Sequence, residues 1–425
     1  MRQMKTPYEI RDPIHGPIGM SREELQIIDS PYVQRLRGIK QTGFAELAFP
    51  GATHNRYSHS LGAFHLAGKA FDLIFEDFEW ADDVEKNRFR SYLRMSALLH
   101  DIGHGPMSHA IEAAMPPKKE VLGGEGQATH EDYTEAIVLK SSLTEILEET
   151  FGKEMPLALV SLIRNENRNP SLFLAGRHSQ KSLFPVLSSL ISGEIDVDRM
   201  DYMFRDSLFC GIPYGNFDRD WIFSNLTYIE EDNQFFLALD SRALYAFEDF
   251  LLSRYHLYLM VYLHHKSVIY DEMLYQFLIS DEGGPKLPSS VDEYLHVDDY
   301  WLMTRIRKSK NPWAQRIVQQ KPYRMLLEIH SDQNEDAKSY ADELEGKLIK
   351  AKIGYFRSSS SGLLSKYHMK SDTNKNTIYI IYRDVRFTSS QRPGIRKEPI
   401  QQATELFDRY KNKRIIDRLY AETTI

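Results

Sequence analysis

The chain has 425 residues, 42% of them hydrophobic and 27% charged, with a formal net charge of −7. That composition belongs to a folded globular protein with room for a large core and a second domain, and it argues against a chain that coats nucleic acid non-specifically. Cys210 is the only cysteine, so no internal disulfide can form, and no apolar run approaches membrane-spanning length. The default expectation is a cytoplasmic enzyme.

In chain order, residues 8–20 (YEIRDPIHGPIGM) predict a short extended segment broken by Pro13 and Gly16-Pro17. Ser21 with Glu24 three residues on reads as a helix N-cap of the reciprocal type. Residues 29–43 predict a second short helix with Pro31 in its first turn. Its Arg35, Arg37 and Lys40 are most simply a solvated face, with a phosphate pocket as the functional rival.

From Ser58 onward, Leu61, Leu66, Ala70 and Ile74 mark a buried helical stripe. His59 lies at the start of that helix, and Arg56, which keeps its proton, precedes it as a candidate phosphate clamp. The densest stretch is LLHDIGHGPMSHAIE, residues 98–112, with His100, Asp101, His104, His109 and Glu112 behind an apolar lead-in. Polar groups taken out of water must be paired or must hold a cation, and an imidazole nitrogen and a carboxylate oxygen are both good metal ligands. A lone His-Asp pair is more simply a polar helix end. His59 as third ligand and Asp198 as an anionic fourth reverse that balance.

Residues 116–128 predict a loop, and Thr129 an N-cap that leaves His130 free to point back at Glu112 or His109. In IDVDRMDYMFRD, Asp198, Tyr202 and Asp206 share one helical face, while Arg199, Asp201 and Arg205 read as solvated positions. Residues 245–278 predict one long helix carrying Arg254, Tyr258, Tyr262 and Lys266 every four residues. Beyond about residue 315, strands are predicted at 322–330, 352–357 and 376–382, helices at 334–351 and 398–421, and a flexible Ser358–Gly362 stretch. The predicted architecture is mainly helical: a helical bundle over 1–315, then a small α+β module over 316–425.

The ordered set DPIHG, HNRYSH, LLHDIGHGPMSH, TH and IDVDRMDYMFRD resembles the HD-domain phosphohydrolases, and more narrowly their deoxynucleoside triphosphate triphosphohydrolase branch. The resemblance implies His59, His100, Asp101 and Asp198 as ligands of a divalent metal. Iron, manganese, magnesium, zinc and nickel are not distinguished, and Mg would accompany the nucleotide. It implies His104 and His109 at the α-phosphate and Glu112 with His130 as an acid–base pair, Glu112 standing where the vertebrate branch has Asp. It implies Arg56, Arg199 and Arg254 on phosphates, Gln41 and Asp206 on the 3′-OH, and Tyr202 and Tyr262 against the sugar. Asp29, Gln34 and Arg37 match part of a guanine-nucleotide (GTP or dGTP) activator site, which goes with a dimer or tetramer. The rivals are a phosphohydrolase for another phosphate ester, and a nucleotide-sensing or single-stranded nucleic-acid-binding protein using the basic runs at 305–310 and 411–414.

Overall fold

The structure is a computed structural model that describes residues 8–177, 180–280, 284–330, 335–362, 377–383, 395–409 and 414–422. The first predicted extended segment is an antiparallel hairpin, Tyr8–Asp12 against Gly16–Met20. Asp12 Oδ1 accepts from the backbone N–H groups of Ile14 and His15 at 2.8 and 3.0 Å, and Gly16 takes φ +70°. Ser21 then caps helix Arg22–Ile28, its hydroxyl accepting from Glu24 N while Glu24 accepts from Ser21 N. Glu24 is also held by Arg94 Nε at 2.6 Å, which ties the cap to the interior.

The central helix is Arg56–Ile74, and Asp83–Leu99 and Val197–Cys210 pack against it. The expected stripe of Leu61, Leu66, Ala70 and Ile74 is buried, but so are Ala63, Phe64, Ala67 and Phe71. A helix apolar on nearly every side belongs in the middle of a bundle. The fold is accordingly mainly helical, with its two larger sheets built from residues 174 onward.

Strand Gln234–Asp240 pairs antiparallel with Leu226–Glu231 and parallel with Tyr379–Arg383, so one sheet joins both sides of the expected boundary at 315/316. Ile395–Pro399 extends it. A second sheet places Arg414–Ala421 between Arg324–His330 and Tyr355–Gly362, next to helix Glu335–Ala351.

Several local expectations are corrected. Among its described residues, the helix expected over 398–421 is instead strand, two short helices and strand. Arg414–Ala421 carries helix-forming residues, but ladders on both sides override that preference. Ser358–Gly362 is part of a strand, paired residue by residue with Arg414–Arg418. The 245–278 helix is two helices, Leu244–Leu257 and His265–Ile279, separated by a wide turn at Tyr258–Tyr262. The helix expected to begin near residue 29 runs only over Pro31–Arg35 before tightening at Leu36–Gly38.

Arg35 is not solvated. It is buried and donates to the carbonyls of Val297, Ile102 and His104 at 2.9, 3.2 and 2.8 Å, with its guanidinium 4.4 Å from the Tyr294 ring centroid. Of the other two basic residues on that segment, Arg37 is exposed and Lys40 half-buried.

Candidate active site

His59 sits one turn into the central helix, whose start is capped by Asn55 Oδ1 accepting from Ser58 N. His100 terminates helix Asp83–Leu99, and the turn that follows, with Gly103 and Gly105-Pro106, carries Asp101 and His104. Asp198 lies in the first turn of Val197–Cys210. Three separate helices therefore deliver the four predicted ligands to one place. The Nε2 atoms of His59 and His100 are 3.4 Å apart. Asp198 Oδ1 lies 3.0 Å from the first and 3.6 Å from the second. Asp101 closes the group at 3.4 Å from His100 Nε2 and 3.7 Å from His59 Nε2. One donor atom each from His59, His100 and Asp101 fall within 4.8 Å of one another.

The hydrogen bonds behind the imidazoles fit these residues to a cation. His59 Nδ1 donates to Asp201 Oδ2 at 2.8 Å, and His100 Nδ1 donates to the Ala97 carbonyl at 2.8 Å. With both Nδ1 positions engaged as donors, both Nε2 atoms face the cluster and, once deprotonated, offer it their lone pairs, the arrangement found behind metal-ligating histidines. Burial opposes a charge on His59, but Asp198 and Asp201 outweigh it and push its pKa up to about 10. Carboxylates that favour a proton there favour a metal cation in its place.

Asp201 and Arg205, expected to be solvated, are fully buried and form the wall behind His59. Arg205 Nε and Nη2 donate to the two Asp201 oxygens at 2.8 and 2.9 Å, and its Nη1 donates to Asp12 at 2.9 Å. His15 Nε2 meets Asp201 Oδ1 at 2.6 Å. Helical periodicity places these residues on a face but does not say which face is covered. The usable signal was DPIHG, whose Asp12 and His15 both enter this network. Gly62 makes room for it, because a Cβ there would stand 1.8 Å from Asp201 Oδ1. Gly62→Ala is expected to weaken metal binding by roughly 10- to 100-fold through misplacement of the group that orients His59, read by titration with a divalent metal.

A second group adjoins the first. His104 Nε2 lies 3.4 Å from Asp101 Oδ1, and its ring stacks on His130 with centroids 3.9 Å apart. Burial, then the charge of Arg56, holds the His104 pKa well below its ordinary value, so the ring is neutral. His130 Nδ1 pairs with Glu112 at 2.7 Å. Thr129 is the N-cap that sets this direction, closing a reciprocal bond with Asp132. The His109 side chain lies outside the described residues.

Around these groups, Arg56 donates to Asp101 and to Ser108 Oγ. Arg199 is buried, donating to Asp196 at 2.5 Å and to the Gly193 carbonyl. Arg254 donates to Glu194 at 3.1 Å and lies 5.5 Å from the Tyr258 ring centroid. Tyr262 donates to Asp206 at 2.5 Å, the other Asp206 oxygen accepts from His54 at 2.7 Å, and Tyr202 meets Tyr262 edge-on at 6.2 Å. Gln41 Oε1 is buried with no hydrogen-bond partner among the described residues. Asp29, Gln34 and Arg37 lie on a different segment, with Arg37 Nε donating to Gln34 Oε1 at 2.8 Å and its guanidinium 3.6 Å over Tyr57. Residues 411–413 of the second basic run lie outside the described residues.

Residues 56–205 match the model of the HD domain, and residues 217–354 match that of the HD associated region. The chain is 31% identical over 318 residues to an uncharacterized protein of Methanocaldococcus jannaschii, covering 75% of this chain and 59% of that one. It is 30% identical over 347 residues to the deoxynucleoside triphosphate triphosphohydrolase SAMHD1 of Homo sapiens, covering 75% and 54%. The chain thus spans little more than half the length of these curated relatives. Its fold superposes on the crystal structure of a hypothetical protein from Aquifex aeolicus with TM-score 0.74 at 26% identity, covering 98% of this chain and 96% of that one. No helix among the described residues is long and apolar enough to cross a membrane. The convergence of His59 with the His100–Asp101 pair from separate helices, and the match of both successive regions, place the chain in the HD-domain family.

Proposed function

We propose that the protein is a metal-dependent phosphohydrolase that cleaves deoxynucleoside triphosphates to deoxynucleoside and inorganic triphosphate, by attack of water at the α-phosphorus. The observation that carries this reading is the adjacency of the two groups: four N/O donors facing one point, and beside them a neutral His104 stacked on the Glu112–His130 pair. His59, His100, Asp101 and Asp198 would hold a divalent cation, whose chemistry is to neutralise phosphate charge and make a water acidic enough to attack near neutral pH.

The protein's own side chains do the rest. Neutral His104 donates to a phosphate oxygen without adding a charge that the site must bury. His130, with its carboxylate partner, is built to pass a proton toward the leaving oxygen, aided by His109. Arg56, Arg199 and Arg254 bring the positive charge that a polyphosphate needs. Tyr202 and Tyr262 pack the sugar, and Gln41 and Asp206 hold its 3′-OH. Asp29, Gln34 and Arg37 hold a guanine nucleotide that activates a dimer or tetramer.

The test is product identification by phosphorus NMR for each dNTP and its ribose counterpart with Mg or Mn, repeated with GTP or dGTP while molecular mass is followed. Triphosphate with free deoxynucleoside is expected. Monophosphate with pyrophosphate, or diphosphate with phosphate, refutes the bond assignment. An unchanged rate and mass with GTP and dGTP refutes the activator site.

A further inference from the structure

Beside the catalytic pair opens a cavity of about 570 Å³, a volume within the range of small-molecule pockets. Glu112 and Tyr262 both line it, so it is continuous with the site described above. Across from them the lining comes from helix His265–Ile279, chiefly Val268, Asp271 and Glu272. Its acidic and basic side chains are all carboxyls; no Lys, Arg or His lines it among the described residues. Arg56, Arg199 and Arg254 all stand outside it.

This separation of charge gives the site a direction. A triphosphate is drawn to the guanidinium end and repelled from the carboxyl-lined cavity, so the uncharged end of the ligand is the part that enters. Within the cavity the carboxyls differ. Glu112 is paired with His130, and Glu272 accepts from Gln276 Nε2 at 2.9 Å. Half-buried Asp271 has no hydrogen bond or ion pair among the described residues. Burial, with the neighbouring charge of Glu272, holds its carboxyl up to about 7, so it gains from any donor brought to it.

We propose that this cavity seats the nucleobase of the substrate and that Asp271 selects among bases by accepting hydrogen bonds from their N–H edge. The inference rests on the nucleotide substrate proposed above. Guanine presents a ring N–H and an amino group side by side, enough for both carboxylate oxygens. Adenine and cytosine present one amino group. Thymine presents one ring N–H between two carbonyls that repel a carboxylate. Guanine is therefore the base with most to lose.

Steady-state kinetics with all four dNTPs, and calorimetric binding of the four free deoxynucleosides, should be compared between the wild type and Asp271→Asn. The expected result is a rise of roughly tenfold in KM for dGTP, a change under about twofold for dTTP, an unchanged kcat and a parallel loss of deoxyguanosine binding. A uniform change across the bases, or none, overturns the assignment, as does wild-type protein that binds the four nucleosides indistinguishably. If the wild type turns over no dNTP yet binds deoxyguanosine through Asp271, the base site stands and the proposed reaction falls.

Discussion

Replacing His100 or Asp198 with alanine is expected to lower kcat/KM by about a thousandfold or more, because on the proposed function it removes a ligand and forfeits several kcal/mol of charge stabilisation at the phosphate. These two positions separate chemistry from folding better than His59 does. Asp198 is one-third exposed at its side chain, and His100 ends its helix with a single Nδ1 bond to Ala97 O. His59 is fully buried and engaged at both nitrogens. Metal content by mass spectrometry and helicity by circular dichroism, measured beside the rate, give the reading. Folded variants depleted of metal and inactive are expected. A variant that keeps full activity and one metal per site would remove its residue from the ligand set.

The largest stability loss is expected at Asp201. Alanine there leaves Arg205 and the imidazoles of His15 and His59 facing an empty anion position in a fully buried site, a change of about 3–5 kcal/mol. A denaturant midpoint that moves by less than about 1 kcal/mol would show the network to be dispensable. The pH dependence has a definite sign. Burial alone would raise the Asp201 pKa, but Arg205 and the hydrogen bonds from His15 and His59 hold it well below its ordinary value. The unfolded carboxyl titrates at about 4, so this stabilisation is fully present above that pH and is lost as pH falls through the lower folded value. Asp201→Asn, which cannot titrate, should be less stable near neutrality and show a flatter acid limb in the same measurement.

His100, Asp198 and Asp201 also show where the chain alone is legible and where it is not. That His59, His100, Asp101 and Asp198 come together was legible because buried imidazole–carboxylate sets have few reasons to exist. The Thr129 cap left His130 open to Glu112, to His109 or to the surface, and only the folded chain pairs it with Glu112. Arg35, Asp201 and Arg205 were misread as solvated, since a charged residue at helical spacing carries no mark of which neighbour covers it. Their partners, among them Val297, Asp12 and His15, are remote in the chain. Tertiary pairing also explains the misread C-terminal segment, where strand Arg414–Ala421 is defined by ladders on both flanks rather than by its own composition. The break at Leu263-His264, after the wide turn Tyr258–Tyr262, is marked by no proline or glycine.

Residues 294–299 hold the loop that follows the His-Asp pair from outside the matched HD segment. Tyr294 donates to Gly103 O, Asp299 accepts from Met107 N, and Arg35 bridges Val297 to Ile102 and His104. The stretch 56–205 is consequently no transplantable cassette. A fragment trimmed to it would retain every proposed ligand yet lose the bonds that clasp the 102–107 backbone next to them.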